Sequence, residues 1–241
     1  MNEDKLFTWD DFKSQDFGGG LWLTLLCRVV AQRFAYLFYK LGLSPNMVTL
    51  LGVVVTLLGL GVIISVDNLN LFFNGLLVVV LLLGYVFDCA DGQLARVTKK
   101  GSKFGEWLDH TLDSFTGSLV HLAAGYLMLR EVGAEDQMFL WAYLGLVFNM
   151  VGSSTYFFGW NMKGQLAGSN AVASSMKQGS LKLKLMKLPL QLTDKTLLLL
   201  VFLFAYDVVL FTWCYLGYGL LTFGIYALYL IVSGHSLSKL S

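Results

Sequence analysis

The stretch DCADGQLARVTKKGSKFGEWLDHTLD, residues 88–113, decides the fold, because it holds five carboxylates (Asp88, Asp91, Glu106, Asp109, Asp113) between two apolar runs. Upstream the chain reads LNLFFNGLLVVVLLLGYVF and downstream SFTGSLVHLAAGYLML. Each run approaches the roughly 20 residues that a helix needs to cross a hydrocarbon core about 30 Å thick. The quoted stretch thus reads as a short polar connection between two membrane helices. A short connection makes those helices antiparallel neighbours and brings their carboxylates to one end.

The rest of the chain fits that frame. Of 241 residues, 56% are hydrophobic and only 14% charged, and the mean hydropathy is +0.65, which indicates an all-α, polytopic membrane protein. With those two, spans are expected at about 47–66, 69–90, 107–129 and 138–158, and the run from about 190 to 232 is long enough for two more. The hinge of that last pair falls either at Asp207 or at Gly217–Gly219. Six transmembrane helices follow, within a membrane domain over 42–235. Residues 21–41, LWLTLLCRVVAQRFAYLFYKL, mix aromatics with Arg28, Arg33 and Lys40, as an N-terminal amphipathic helix lying in the interface would. Residues 1–20 read as a cytosolic lead-in and 236–241 as a tail. Ser44 or Asn46 would cap the first span, with Pro45 in its first turn.

Charge distribution orients the chain. On the six-span topology, all 17 Lys and Arg residues except Arg130 fall on one side, and cytoplasmic loops are the ones enriched in such residues. Both termini and the 88–113 connection are therefore expected on the cytosolic side. The near balance of 17 basic and 16 acidic residues argues against a nucleic-acid partner. Cys27, Cys89 and Cys214 have no metal-finger or disulfide spacing and read as packing residues. The longest hydrophilic insertion, about 161–195, carries Lys163, Lys177 and Lys195 with the basic apolar stretch LKLKLMKLPL. It reads as a loop resting on anionic headgroups, or as a source of lysines for a phosphate-bearing substrate.

Asp88 and Asp91 are three residues apart, and Asp109 and Asp113 four apart, so each pair occupies one helix face. At the centre of a membrane helix each unpaired Asp costs about 2.5–3.5 kcal/mol, less toward the interface. Converging short carboxylates suit hard divalent cations with oxygen ligands. Two Mg²⁺ or Mn²⁺ ions would balance four carboxylates, and such a pair clamps the oxygens of a phosphoryl displacement. Gly92 and Ala95 keep the neighbouring surface open to a ligand, or serve close helix packing. Arg96 can pair with a phosphate oxygen.

The combined pattern, Asp88-xx-Asp91-Gly92-xx-Ala95-Arg96-x8-Gly105-xxx-Asp109-xxx-Asp113, resembles the signature of the CDP-alcohol phosphotransferase family at all eight positions. Pro45 and Asn46, followed by Thr49, are similar to a further feature of that family near its first span. The resemblance implies transfer of a substituted phosphate from a CDP-linked alcohol to a hydroxyl acceptor, with release of CMP. It implies that Asp88, Asp91, Asp109 and Asp113 hold two divalent metals and that Asp113 is also the general base. Gly92, Ala95, Arg96 and Gly105, with Asn46, would border the nucleotide beside Asp88 and Asp91. A homodimer is implied as well, although glycines at 59 and 61 or 217 and 219 lack the GxxxG spacing.

The acceptor is less legible. His110 is a polar helix contact or an acceptor-side group, because GEWLDHTLDS is similar to the same stretch of choline and ethanolamine phosphotransferases. Lys163 and Lys195 are the other acceptor-side candidates. Scarcity of arginine on the later spans weakens the case for a phosphorylated acceptor. The expected donor is CDP-diacylglycerol with a polar alcohol as acceptor; the reverse arrangement transfers a CDP-linked headgroup to diacylglycerol. A metal-ion channel or transporter is the reading from another class, but the third span beyond Asp113 lacks a polar path. Glu106 matches no signature position and reads as a supporting acid, while His121 and His235 read as structural. Asp207 marks a turn, or is functional if it lies mid-membrane.

Overall fold

The computed structural model describes residues 6–14, 22–66, 70–131, 137–154 and 192–237, and these are mostly helical with no strand among them. In chain order the helices are α1 (Trp9–Lys13), α2 (Trp22–Lys40), α3 (Pro45–Ser65), α4 (Leu71–Thr98) and α5 (Lys103–Glu131). A helix over 137–154 (α6) follows, then α7 (Lys195–Val201), a 3₁₀ turn (Phe202–Phe204) and α8 (Val208–Leu237). Three of them are long and apolar enough to cross a membrane: Pro45–Ser65, Leu71–Thr98 and Val208–Ile231. α5 is not among them, because polar residues from Asp109 to His121 run through its first half. The chain divides into two compact units, Met1–Ala123 and Ala124–Ser241.

In the first unit α4 is the central element, packed by both α2 and α3. α3 begins where Ser44 accepts from the Met47 amide with Pro45 in the first turn, so local capping sets its start. Its buried face carries Thr49, Gly52, Thr56 and Gly59, a stripe of small residues that lets two backbones approach closely. A Cβ on Gly52 would sit 3.2 Å from the Gly84 carbonyl oxygen and 3.3 Å from the Phe87 Cβ. A Cβ on Gly84 would run into the Thr56 hydroxyl. α2 buries Cys27, Ala31, Ala35 and Phe38, spaced along one helix face, against Val86, Phe87, Ala90 and Leu94. Phe38 and Phe34 each meet the Phe87 ring edge to face at 5.1 Å. α1 steadies the outer side of α2: Phe12 is fully buried near Tyr36 and Tyr39, and the Phe7 amide donates to the Tyr39 hydroxyl at 3.1 Å.

The connection between α4 and α5 is tighter than the expected spans alone would make it. α4 continues to Thr98, well past the expected end of its span at 90, and α5 opens at Lys103. Lys99 closes α4 in the left-handed conformation, φ 55°, and the Lys100 amide returns to the Ala95 carbonyl at 3.1 Å. Ser102 then starts α5 by accepting from the Gly105 amide at 3.0 Å. Both carboxylate pairs thus stand on helix rather than loop.

In the second unit the α6 residue Asn149 donates to the Tyr215 carbonyl at 3.0 Å, and Gly145 lies where a Cβ would come within 3.3 Å of the Leu216 Cα. The hinge of the last apolar run lies at Phe202–Asp207, and Gly217 and Gly219 sit inside the unbroken α8. Asp207 caps α8, accepting from the Val209 and Leu210 amides at 3.0 and 3.1 Å. That role accounts for its charge at a helix N-terminus.

The α3–α4 contact makes a simple packing test. Gly84→Val is expected to destabilise the protein by about 1–3 kcal/mol through overpacking. Gly61→Ala, where a Cβ meets nothing within 4 Å, should instead gain up to about 1 kcal/mol of helix propensity. Thermal unfolding of the detergent-solubilised variants checks both; equal melting temperatures would sink the close-contact account.

Candidate active site

The last turns of α4 and the first turns of α5 bring Asp88, Asp91 and Asp109 together: each offers an oxygen, and these oxygens lie within 4.8 Å of one another. Asp91 is only 5% exposed, whereas Asp88 and Asp109 are half-buried. Asp113 stands one turn further along α5, half-buried and close enough for its charge to act on Asp91, but outside that three-carboxylate group. Three short carboxylates converging from two rigid helices are a donor set for a hard divalent cation. A buried Asp91 without a compensating positive charge would be costly. The residues present therefore fit a divalent metal.

Asp91 is also held from the side. The Thr49 hydroxyl of α3 donates to its Oδ2, and Thr49 also reaches the Pro45 carbonyl at 3.2 Å. Thr49 sits one turn from Gly52, so the backbone contact of α3 with α4 places the hydroxyl at the carboxylate. In the sequence Thr49 stands out only as part of the Pro45–Asn46 feature; its partner is 42 residues away, a separation that no local spacing reveals.

Two cavities meet at the carboxylates. The first, about 530 Å³, is lined by Asn46 and Thr49 of α3, by Asp91, Gly92, Ala95 and Arg96 of α4, and by Gly105, Glu106, Asp109 and His110 of α5. Lys100 and Lys103 line it too, which gives it a basic rim. Gly105 is small for a visible reason: a Cβ there would lie 2.9 Å from the Asn46 Oδ1. Gly92 leaves room for the Arg96 side chain, whose Nη1 would be 3.2 Å from a Cβ at that position. All of the nucleotide-side residues named from the sequence except Asp88 thus border this one space.

The second cavity, about 410 Å³, shares Asp91, Gly92, Arg96 and Asp109 with the first and adds Arg28, Asp88, Cys89 and Gln93. Arg28 and Gln93 were not singled out as site residues in the sequence. Gln93 is 1% exposed, and its Nε2 donates to the Arg28 carbonyl at 3.0 Å across 65 residues of chain. A glutamine on the buried face of a membrane helix was the available signal.

The acceptor-side candidates fare differently. His110 is exposed and lines the first cavity. Lys163 lies outside the described residues, as does the rest of 155–191. Lys195 opens α7 in the second unit. Glu106 borders the first cavity without joining the carboxylate group. Cys27 is packed in the core as expected, Cys89 and Cys214 are half-buried, and His121 is buried.

Comparison with known proteins points the same way. The chain is 40% identical over 89 residues to an uncharacterized protein of Aquifex aeolicus, covering 36% of this chain and 42% of that one. It is 31% identical over 105 residues to the archaetidylinositol phosphate synthase of Pyrococcus horikoshii, covering 42% of this chain and 52% of that one. The chain thus spans about half the length of the curated relatives it matches. A family model described as CDP-alcohol phosphatidyltransferase matches residues 42–185, a stretch that contains all four aspartates and every α3–α5 residue of the two cavities. The chain belongs to the CDP-alcohol phosphatidyltransferase family.

Proposed function

We propose that this chain transfers a substituted phosphate from a CDP-linked alcohol, CDP-diacylglycerol first among them, to the hydroxyl of a polar alcohol and releases CMP. One observation carries the reading: Asn46, Gly92, Ala95, Arg96 and Gly105 border a single cavity whose wall includes Asp91 and Asp109. A nucleotide seated there has its phosphates beside the carboxylates. The small residues let the ligand approach the helix backbone, and Arg96, Lys100 and Lys103 supply charge-assisted donors to phosphate oxygens.

In the proposed reaction the acceptor oxygen forms a bond to the distal phosphorus, and the bond from that phosphorus to the CMP oxygen breaks. Asp113 takes the acceptor proton as attack proceeds, since a neutral hydroxyl is a poor nucleophile. Asp88, Asp91 and Asp109, with Asp113, would hold two divalent ions, Mg²⁺ or Mn²⁺. Bound there, such ions supply electrostatic stabilisation of charge on the bridging and leaving oxygens. Thr49 fixes the Asp91 carboxylate and so the geometry of that donor set. The six-span topology, the domain limits 42–235, the interfacial position of α2, the cytosolic face of the site and a homodimer belong to the same proposal. The basic-residue asymmetry supports the sidedness. The name of the Pyrococcus relative favours an inositol phosphate among the acceptors to be tried, with His110, Lys163 and Lys195 as acceptor-side groups.

Three outcomes are expected. Asp113→Asn should lower CMP release from CDP-diacylglycerol by at least about 10²-fold while the protein stays folded in the membrane fraction; undiminished turnover would remove Asp113 as the base. Chelation by EDTA should stop CMP release and added Mg²⁺ or Mn²⁺ restore it, whereas turnover in EDTA would contradict the metal. Thr49→Val should weaken Mn²⁺ binding by roughly tenfold in an electron paramagnetic resonance titration; unchanged affinity would make the Thr49 contact purely structural. A panel of inositol, inositol phosphate, glycerol phosphate and serine, each offered with CDP-diacylglycerol and with CDP-choline plus diacylglycerol, identifies donor and acceptor through CMP release.

A further inference from the structure

Arg28 lies before the family-matched stretch 42–185 and on α2, an element that carries none of the signature. It nevertheless lines the second cavity together with Asp88, Asp91 and Asp109, all three carboxylates of the metal-competent group. Its position is built, not incidental. α2 is pressed onto α4 by Cys27, Ala31 and Ala35, whose small side chains permit close approach. The fully buried Gln93 ties the Arg28 carbonyl to α4 two residues after Asp91. The Gln93 Oε1 is buried and has no hydrogen-bond partner among the described residues, and Gln93 itself lines the same cavity. Arg33, five residues further on α2, is exposed.

We infer that Arg28 is a phosphate-binding residue for the distal, transferred phosphate of the CDP-linked donor. This rests on the transferase reading above. The nucleoside side of the donor has its space in the first cavity, bordered by Asn46, Ala95 and Gly105. The two cavities share Asp91, Gly92, Arg96 and Asp109, so a diphosphate lying along the shared residues presents its second phosphate to the cavity that Arg28 lines. A guanidinium there matches the geometry of phosphate oxygens with two donors. It also offsets the carboxylates around it. Because the transferred phosphate must lie beside the carboxylates for its bond to CMP to break, the anion at Arg28 is that phosphate and not a remote phosphate of the acceptor.

CMP and CDP differ by this second phosphate, so binding alone, without turnover, tests the assignment. The full chain in detergent micelles with Mg²⁺ is titrated calorimetrically with each nucleotide. Arg28→Ala should weaken CDP binding by about 10- to 100-fold and leave CMP binding within about threefold, with Arg28→Lys recovering part of the CDP affinity. Arg33→Ala should leave both unchanged, which separates the effect from loss of positive charge on α2. Retained CMP binding shows that the variant is folded. Losses that are equal for CMP and CDP, or absent for both, in Arg28→Ala and again in Arg28→Gln would overturn the assignment while leaving the transferase reading intact. Wild-type protein that binds neither nucleotide would overturn that reading, and this inference with it.

Discussion

Repulsion among three carboxylates is the constraint that the rest of this structure answers to. At the 4.8 Å limit of their separation, two unit charges repel by about 3–4 kcal/mol at an effective dielectric of about 20. Three pairs bring the total to roughly 10 kcal/mol, on the scale of the whole stability of a domain. Helix packing alone would be opposed by such a cluster, and positive charge within the folded arrangement relieves it. Arg28, Arg96, Lys100 and Lys103 supply some of it from the cavity walls. Divalent ions at the carboxylates would supply the rest, which makes the same ions structural and catalytic in the proposed enzyme.

Holding the charges in place falls to helices that meet nearly backbone to backbone. The Gly52–Gly84 contact brings α3 against α4 just before the first aspartate, and Thr49 follows from it as a donor to Asp91. On another side of α4, Phe34 and Phe38 close on Phe87, the residue preceding Asp88. Two packing contacts therefore bracket the site within a few residues. Functional groups on rigid helices hold their geometry better than groups on loops, and the turn at Lys99–Ser102 is short enough to add little freedom of its own.

The parts of this arrangement that were legible in the sequence are those encoded by neighbours along one helix. Asp88 with Asp91 and Asp109 with Asp113 show their common faces by spacing, and Pro45 after Ser44 shows the start of α3. Asp207 and the glycines are both plausible breaks of the last apolar run by sequence; the capping of α8 by Asp207 decides between them. The α3 stripe is hidden in the sequence because it alternates Thr with Gly, Thr49-Gly52-Thr56-Gly59, a pattern that GxxxG spacing does not capture. Gln93 and Arg28 are hidden because a pairing across 65 residues leaves no periodic trace. Apolarity alone also cannot show that α4 runs on to Thr98, since its last turns are polar for the sake of the site.

The division of the site into two joined cavities bears on how one set of carboxylates can serve a substrate with dissimilar ends. The first cavity combines small residues with a basic rim, which suits a flat nucleoside and its phosphate. The second is smaller, and a larger share of its lining is charged, with Arg28 and Arg96 beside Asp88, Asp91 and Asp109. In the proposed reaction the bond that breaks joins the group held in the first cavity to the group held in the second. Cleavage at the shared residues then leaves CMP bounded by one cavity and the transferred phosphate by the other. Arg96 touches both spaces, so it is placed to contact the phosphate on either side of the broken bond. Arg28 lines only the second, so in the proposed reaction the two arginines have different duties: Arg96 follows the diphosphate as a whole, and Arg28 holds the phosphate that is transferred.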